Sequence, residues 1–106
     1  MYIRMTFVHL KPEKKEAARR LYNDEVIPAH KNRKGIRFVH LLESLDNNSE
    51  GIAVTSWDTR EDAIIYEQSG DYERLLGKFK HMMDDEPVLK SYQISASSEP
   101  LLLRIF

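Results

Sequence analysis

The chain contains no cysteine among its 106 residues. Disulfide frames, thiolate nucleophiles and thiolate metal sites are therefore excluded. Glycine and proline are scarce, with four of each, and no glycine-rich phosphate loop, nucleotide fingerprint, internal repeat or low-complexity segment is found. No local Ser-His-Asp arrangement stands out either. Charge of one sign is also missing: 16 basic and 17 acidic residues leave a formal net charge of -1. That balance argues against a broad grip on nucleic acid or anionic lipid. The one basic cluster, Lys31, Arg33 and Lys34, lies near a predicted helix end, where cations complement the helix dipole. Long apolar runs are absent. A stretch such as Leu101-Leu102-Leu103 is far short of the ~20 residues that span a bilayer. The N-terminal residues alternate and carry Arg4 and His9, unlike a signal peptide, so the expected location is the cytoplasm.

What is present is a globular composition, 42% apolar and 31% charged, at a length that fits one domain over residues 1–106. Tyr2 to Leu10 alternates with the strand period, placing Ile3, Met5, Phe7 and His9 on one face and Arg4, Thr6, Val8 and Leu10 on the other. Pro12 suits the first turn of a helix. Ala17, Ala18, Leu21, Tyr22, Glu25 and Val26 then follow helical spacing. Pro28 is expected to kink or interrupt that helix, and Gly35 to lie past its C-terminal end. Ile36 to Leu45 and Ile52 to Trp57 form a hairpin around the turn Asp46 to Gly51.

Thr59 is the expected N-cap of a second helical region, with Asp62 three residues on. Ala63, Ile64 and Tyr66 carry its first turns, Ser69-Gly70 breaks it, and Tyr72, Leu75, Leu76, Phe79, Met82 and Met83 resume the pattern. Val88 to Ser95 is the fourth strand. The core thus runs over residues 2–95, followed by a C-terminal arm over 96–106.

The resulting fold class is α+β: a ferredoxin-like β-α-β-β-α-β antiparallel sheet with two helices on one face and an extra C-terminal strand or tail. The strands are apolar on both faces. Ile36, Phe38 and Leu42 oppose Val39 and Leu41, while Ile52 and Val54 oppose Ala53 and Trp57. Two helices cover one face only, so the expected partner for the other is a second copy of the chain. The tail Leu101 to Phe106 either adds a strand to that partner or folds back on its own subunit.

Several segments, taken in order, resemble the antibiotic biosynthesis monooxygenase domain family. They are Arg4-Met5-Thr6, Lys11-Pro12-Glu13-Lys14, and Val26-Ile27-Pro28 ahead of Lys34-Gly35-Ile36-Arg37. Ser56-Trp57-Asp58-Thr59-Arg60-Glu61-Asp62-Ala63 follows, then Tyr66-Glu67-Gln68-Ser69-Gly70. The resemblance covers Tyr2 to Ser95. It implies a homodimer forming an α+β barrel, with a pocket between helices and sheet that takes a small-molecule substrate. Some members oxygenate aromatic substrates without metal or flavin; others bind and degrade haem; many have no assigned activity. The cofactor-free chemistry needs an electron-rich, deprotonatable substrate, a dry pocket and a proton acceptor. In the haem-degrading members an asparagine stands where this chain has Thr6, and the histidine ligand comes earlier after the tryptophan than His81 does.

The candidate substrate-binding residues are Arg4, Thr6, Tyr22, Trp57 and Tyr66. Arg4 and Thr6 share the strand face of Val8 and Leu10. Arg4 pairs either with a phenolate or carboxylate ligand or with a carboxylate of its own chain. Trp57 either lines a pocket or is core, and Tyr22 and Tyr66 are either ligand donors or core aromatics. His81 is the candidate catalytic proton acceptor, whereas His9 and His40 share the strand face expected to meet the partner. No histidine pair has local metal-ligand spacing, so no metal is expected, and the resemblance to the cofactor-free members implies no cofactor. The functions to separate are a cofactor-independent monooxygenase acting on a small aromatic or quinone-like molecule, a non-catalytic binding or stress-related domain, and a haem-binding protein.

Overall fold

The computed structural model describes residues 1–97. The tail Leu101 to Phe106, with its proposed strand addition, lies outside the described residues. The first strand, β1 (Tyr2–His9), is followed at Leu10 by an isolated antiparallel bridge to Met83. A helical stretch then begins with the turn Pro12–Lys14 and α1 (Lys15–Leu21).

That stretch continues as a π turn over Tyr22–Val26 and ends in α2 (Ile27–His30). The interruption expected at Pro28 takes this form instead of a break. Proline has no N–H to give the preceding turn, and one widened turn ahead of it removes the demand without ending the helix. Gly35 follows with φ +82°, and a side chain there would run into the Asp62 carboxylate. The turn into the next strand thus sits tight against the helix that begins beside Asp62.

Strand β2 (Ile36–Glu43) stops two residues short of the sequence expectation. Ser44 still donates its N–H to the Glu50 carbonyl at 3.0 Å, but its hydroxyl accepts from the backbone N–H groups of Asp46 and Asn47, at 3.1 and 2.9 Å, and so starts the turn. After β3 (Glu50–Trp57), Thr59 caps α3 (Arg60–Gln68), accepting from the Asp62 N–H at 3.2 Å. Gly70, at φ 89°, separates α3 from α4 (Asp71–Gly77). A short turn over Lys80–Met82 and β4 (Val88–Gln93) complete the order.

The sheet order is β2-β3-β1-β4 with every pairing antiparallel. This is the ferredoxin-like arrangement expected from the sequence. Register fixes which side chains share a face. Arg4, Thr6 and Val8 lie opposite Thr55, Ala53 and Gly51, and Arg4 and Thr6 lie opposite Ser91 and Leu89 on the other flank. The helices pack on this face. Val8 and Leu10 meet Ala18 and Met83, Tyr22 and Val26 meet Leu41 and Leu75, and Trp57 meets Ala63 and Tyr66.

One parity assignment is corrected. The β2–β3 register shifts between Ile36 and Phe38, so Ile36 lies opposite Trp57 on the helix face while Phe38 lies opposite Ser56 on the outer one. A bulge at Arg37 absorbs the extra residue, and the Arg37 guanidinium pairs with Asp58 at 2.6 Å. The outer face carries Ile3, Met5 and Phe7 from β1, Phe38, His40 and Leu42 from β2, and Ile52 and Val54 from β3. Its rim is open: Leu42, Val88 and Tyr92 are 46%, 51% and 44% exposed. No helix among the described residues is long and apolar enough to cross a membrane.

Candidate functional site

Between the helices and the inner face of the sheet lies a cavity of about 100 Å³. Its floor is built by strand alternation. Arg4, Thr6 and Val8 come from β1, Ala53 and Trp57 from β3, and Leu89 from β4. The roof comes from residues four apart on the first helical stretch, Tyr22, Val26 and His30, which share one helix face, and from Ala63, Tyr66 and Glu67 on α3. Most of this lining is apolar, so the polar atoms that do reach it define its chemistry.

The aromatic wall is closely packed and buried. Trp57 is 1% exposed, and its indole N–H donates to the Thr55 hydroxyl at 2.9 Å. That bond uses its only polar group, so the ring offers the cavity an apolar surface. Tyr66 lies with its ring centroid 5.4 Å from Trp57 and 4.5 Å from the imidazole of His30, and His30 is 6.0 Å from Trp57. Burial, with the Asp71 carboxylate adding to it, pushes the Tyr66 phenol up to about 12, so it stays protonated. Burial likewise raises the Tyr22 phenol, whose hydroxyl donates to the His40 carbonyl at 2.9 Å. Tyr22 lines the cavity with its ring and ties the roof to β2 with its oxygen.

The polar groups are few. Arg4 is 12% exposed at its side chain and pairs through Nη1 with Oε2 of Glu67, on α3. The pair spans from floor to roof. Its Nε is buried and has no hydrogen-bond partner among the described residues. Thr6 is buried with its hydroxyl 3.4 Å from that of Tyr72.

His30, 2% exposed, was not among the sequence candidates. Its Nδ1 lies 2.7 Å from the Val26 carbonyl, an acceptor only, so the proton sits on Nδ1. Burial holds the imidazole below its ordinary value of 6.5. The Val26 bond acts the other way, Arg33 lowers the value further and Asp71 raises it.

Arg4, Thr6, Tyr22, Trp57 and Tyr66 therefore all border one cavity. His81 does not. It is exposed in the turn Lys80–Met82, where Met82 and Met83 take the inward positions, and Met83 rather than His81 reaches the cavity wall. The signal for His30 was present in the sequence: the step from Tyr22 to Val26 repeats once more to His30. The kink or interruption expected at Pro28 leaves the facing of His30 open.

The family model "Antibiotic biosynthesis monooxygenase" matches residues 1–78. The chain belongs to this family. A comparison with curated protein sequences returned no significant match. Among solved structures, a Nitrosomonas europaea protein named for the same family superposes with a TM-score of 0.77 at 18% identity, over 91% of this chain and 100% of its own. A Deinococcus radiodurans protein, also named for the family, gives 0.78 at 14% identity, over 92% and 95%. A conserved protein from Methanosarcina mazei gives 0.76 at 17% identity, over 88% and 92%. At these identities the likeness concerns the fold.

Proposed function

We propose that the protein is a cytoplasmic homodimer that oxygenates a small aromatic, quinol-like molecule in the cavity between helices and sheet, without metal or flavin. The observation that carries this reading is the cavity itself. An apolar, aromatic-walled space of about 100 Å³ with one cation, Arg4, at its edge suits a flat one-ring molecule carrying an oxygen anion. The walls exclude water, so an electron-rich, deprotonated substrate would meet oxygen in a dry setting with its ring held flat against Trp57 and Tyr66. Arg4 would orient the ligand oxygen, exchanging part of its bond to Glu67 for it.

The haem reading has less support. The cavity is small for a tetrapyrrole, Thr6 stands in the first-strand position, and His81 lies on the surface. The dimer is supported by the outer face, on which Met5, Phe7, Phe38 and Ile52 have no covering element among the described residues.

The test is oxygen uptake by the purified, metal-free protein against a panel of one-ring quinols and polyphenols. Uptake above the no-protein control that Arg4→Gln and Trp57→Ala both remove supports the oxygenase. Saturable binding without uptake shifts the protein to a binding role in the same cavity.

A further inference from the structure

We propose that His30 is the proton acceptor of the cavity, taking the proton of a ligand hydroxyl on Nε2 while the Val26 carbonyl holds Nδ1–H. The inference rests on the cavity being the ligand site. Three features of the structure carry it. His30 borders the cavity and is 2% exposed. Its Nδ1 is fixed by the 2.7 Å bond to Val26, one turn back on the same helical stretch, which settles the tautomer and the ring plane. Its Nε2, on the edge of the ring turned away from that bond, is buried without a hydrogen-bond partner among the described residues. A buried acceptor left unpaired costs free energy, and such atoms gather where a ligand completes them.

The chemistry of that atom narrows the ligand. A neutral imidazole with its proton on Nδ1 only accepts at Nε2, so a carbonyl or carboxylate oxygen is refused there and an O–H is welcomed. On transfer the ligand O–H bond breaks, its electron pair stays on oxygen, and a new N–H bond forms at Nε2. The products are an imidazolium and an oxyanion, with no oxidant or second reactant required.

The nearest charges are Arg33, which opposes the imidazolium, and Asp71, which favours it; the two are paired with each other. Tyr66, packed against the ring, stays neutral. Because burial holds His30 below 6.5, a simple phenol near 10 would give up its proton only about a thousandfold uphill or worse. The class that fits is a one-ring phenol or enol acidified by conjugation to a carbonyl or similar group. The conjugated oxygen would then take the developing charge toward Arg4, whose Nε is also buried without a hydrogen-bond partner among the described residues.

The probe is 4-nitrophenol, one ring wide, with a hydroxyl acidified by conjugation and a visible band only in its ionised form. Absorbance of the bound probe is followed from pH 5 to 8 with the full chain. The expected result is ionisation of the bound probe about one to two pH units below the free probe. In His30→Gln, which keeps an amide donor for Val26, that shift is lost while the neutral probe still binds. In the wild-type complex, the ¹⁵N resonance of His30 Nε2 moves to the protonated range at a pH where the free protein's ring is neutral.

If His30→Gln keeps the full shift, or the wild-type ring stays neutral with ionised probe bound, His30 is structural and the proposal fails while the cavity reading stands. If the wild type takes up no probe at all, the cavity reading fails and this proposal with it.

Discussion

The indole N–H of Trp57 donates to the hydroxyl of Thr55, two residues back on the same face of β3, at 2.9 Å. The only tryptophan of the chain thus uses its polar atom within its own strand and shows the cavity a flat hydrocarbon surface. Its contribution to binding is shape and dryness, not a hydrogen bond. Trp57→Ala should cost about 3–5 kcal/mol of stability, the usual range for emptying a large aromatic site, and should abolish ligand binding. Trp57→Phe should fold and retain part of the binding. Urea unfolding followed by circular dichroism measures the first effect and ligand titration the second. Equal loss of binding in both variants would mean that the indole N–H acts on the ligand directly.

Arg4 and Glu67 join the sheet floor to the roof, with side chains 12% and 31% exposed. Arg4→Met leaves Glu67 facing an apolar wall with no cation, and should destabilise by about 1–3 kcal/mol. Glu67→Gln should cost less, because Arg4 keeps an acceptor beside it. The double variant Arg4→Met/Glu67→Gln should recover part of the loss, and the thermodynamic cycle gives the coupling directly. A coupling near zero would show that the pair has no structural weight and that Arg4 is held by its other contacts.

Stability should depend on pH through His30 in a defined window. Its folded value lies below the ordinary 6.5, so between the two values the unfolded chain binds more protons than the folded one. Stability is then fully present above 6.5 and falls as pH drops below it, by up to about 1.4 kcal/mol for each pH unit while the folded ring stays neutral. Glu43 and Asp71, lowered chiefly by their hydrogen bonds to Arg19 and Arg33, lose their contributions only near and below their ordinary values of 4.5 and 3.8. Thermal melts from pH 7.5 to 5.5 should therefore show a slope that His30→Gln flattens. An unchanged slope in the variant would assign it to other groups.

The outer face gives a test that does not touch the cavity. Leu42 is 46% exposed in one copy of the chain, so Leu42→Glu should change the stability of a lone subunit by no more than about 0.5 kcal/mol. If two copies meet through this face, the same change buries a charge at the interface and should halve the mass measured by light scattering. A dimer of unchanged strength in Leu42→Glu would place the contact elsewhere.

How much of this could be read from the sequence varies by element. Strand alternation in Tyr2 to Leu10 placed Arg4 and Thr6 beside Val8 correctly, because the hydrogen-bonded ladder of β1 runs without a bulge. The cap at Thr59 and the break at Gly70 follow from local chemistry that tertiary packing did not override. Ile36 was assigned to the wrong face because one extra residue at Arg37 inverts every parity before it, and neither glycine nor proline marks the bulge.

His30 was hidden for a related reason. A proline inside a helix is expected to kink or interrupt it, and nothing local announces that a π turn over Tyr22–Val26 will keep Tyr22, Val26 and His30 on one face past Pro28. His81, the candidate proton acceptor, lies beside Met82 and Met83, which the apolar pattern places inward and the structure buries; α4 ends at Gly77, and the short turn over Lys80–Met82 leaves His81 exposed.

The central claim is that the cavity beside Trp57 binds a small acidified phenol, and the fluorescence of that single tryptophan tests it most directly. At 1% exposure Trp57 is shielded from collisions with molecules in solution. A one-ring ligand such as 4-hydroxyacetophenone should therefore quench it only by entering the cavity. The account predicts saturable quenching that weakens in Arg4→Gln. Quenching that stays linear in ligand concentration, or is the same in both proteins, would contradict it.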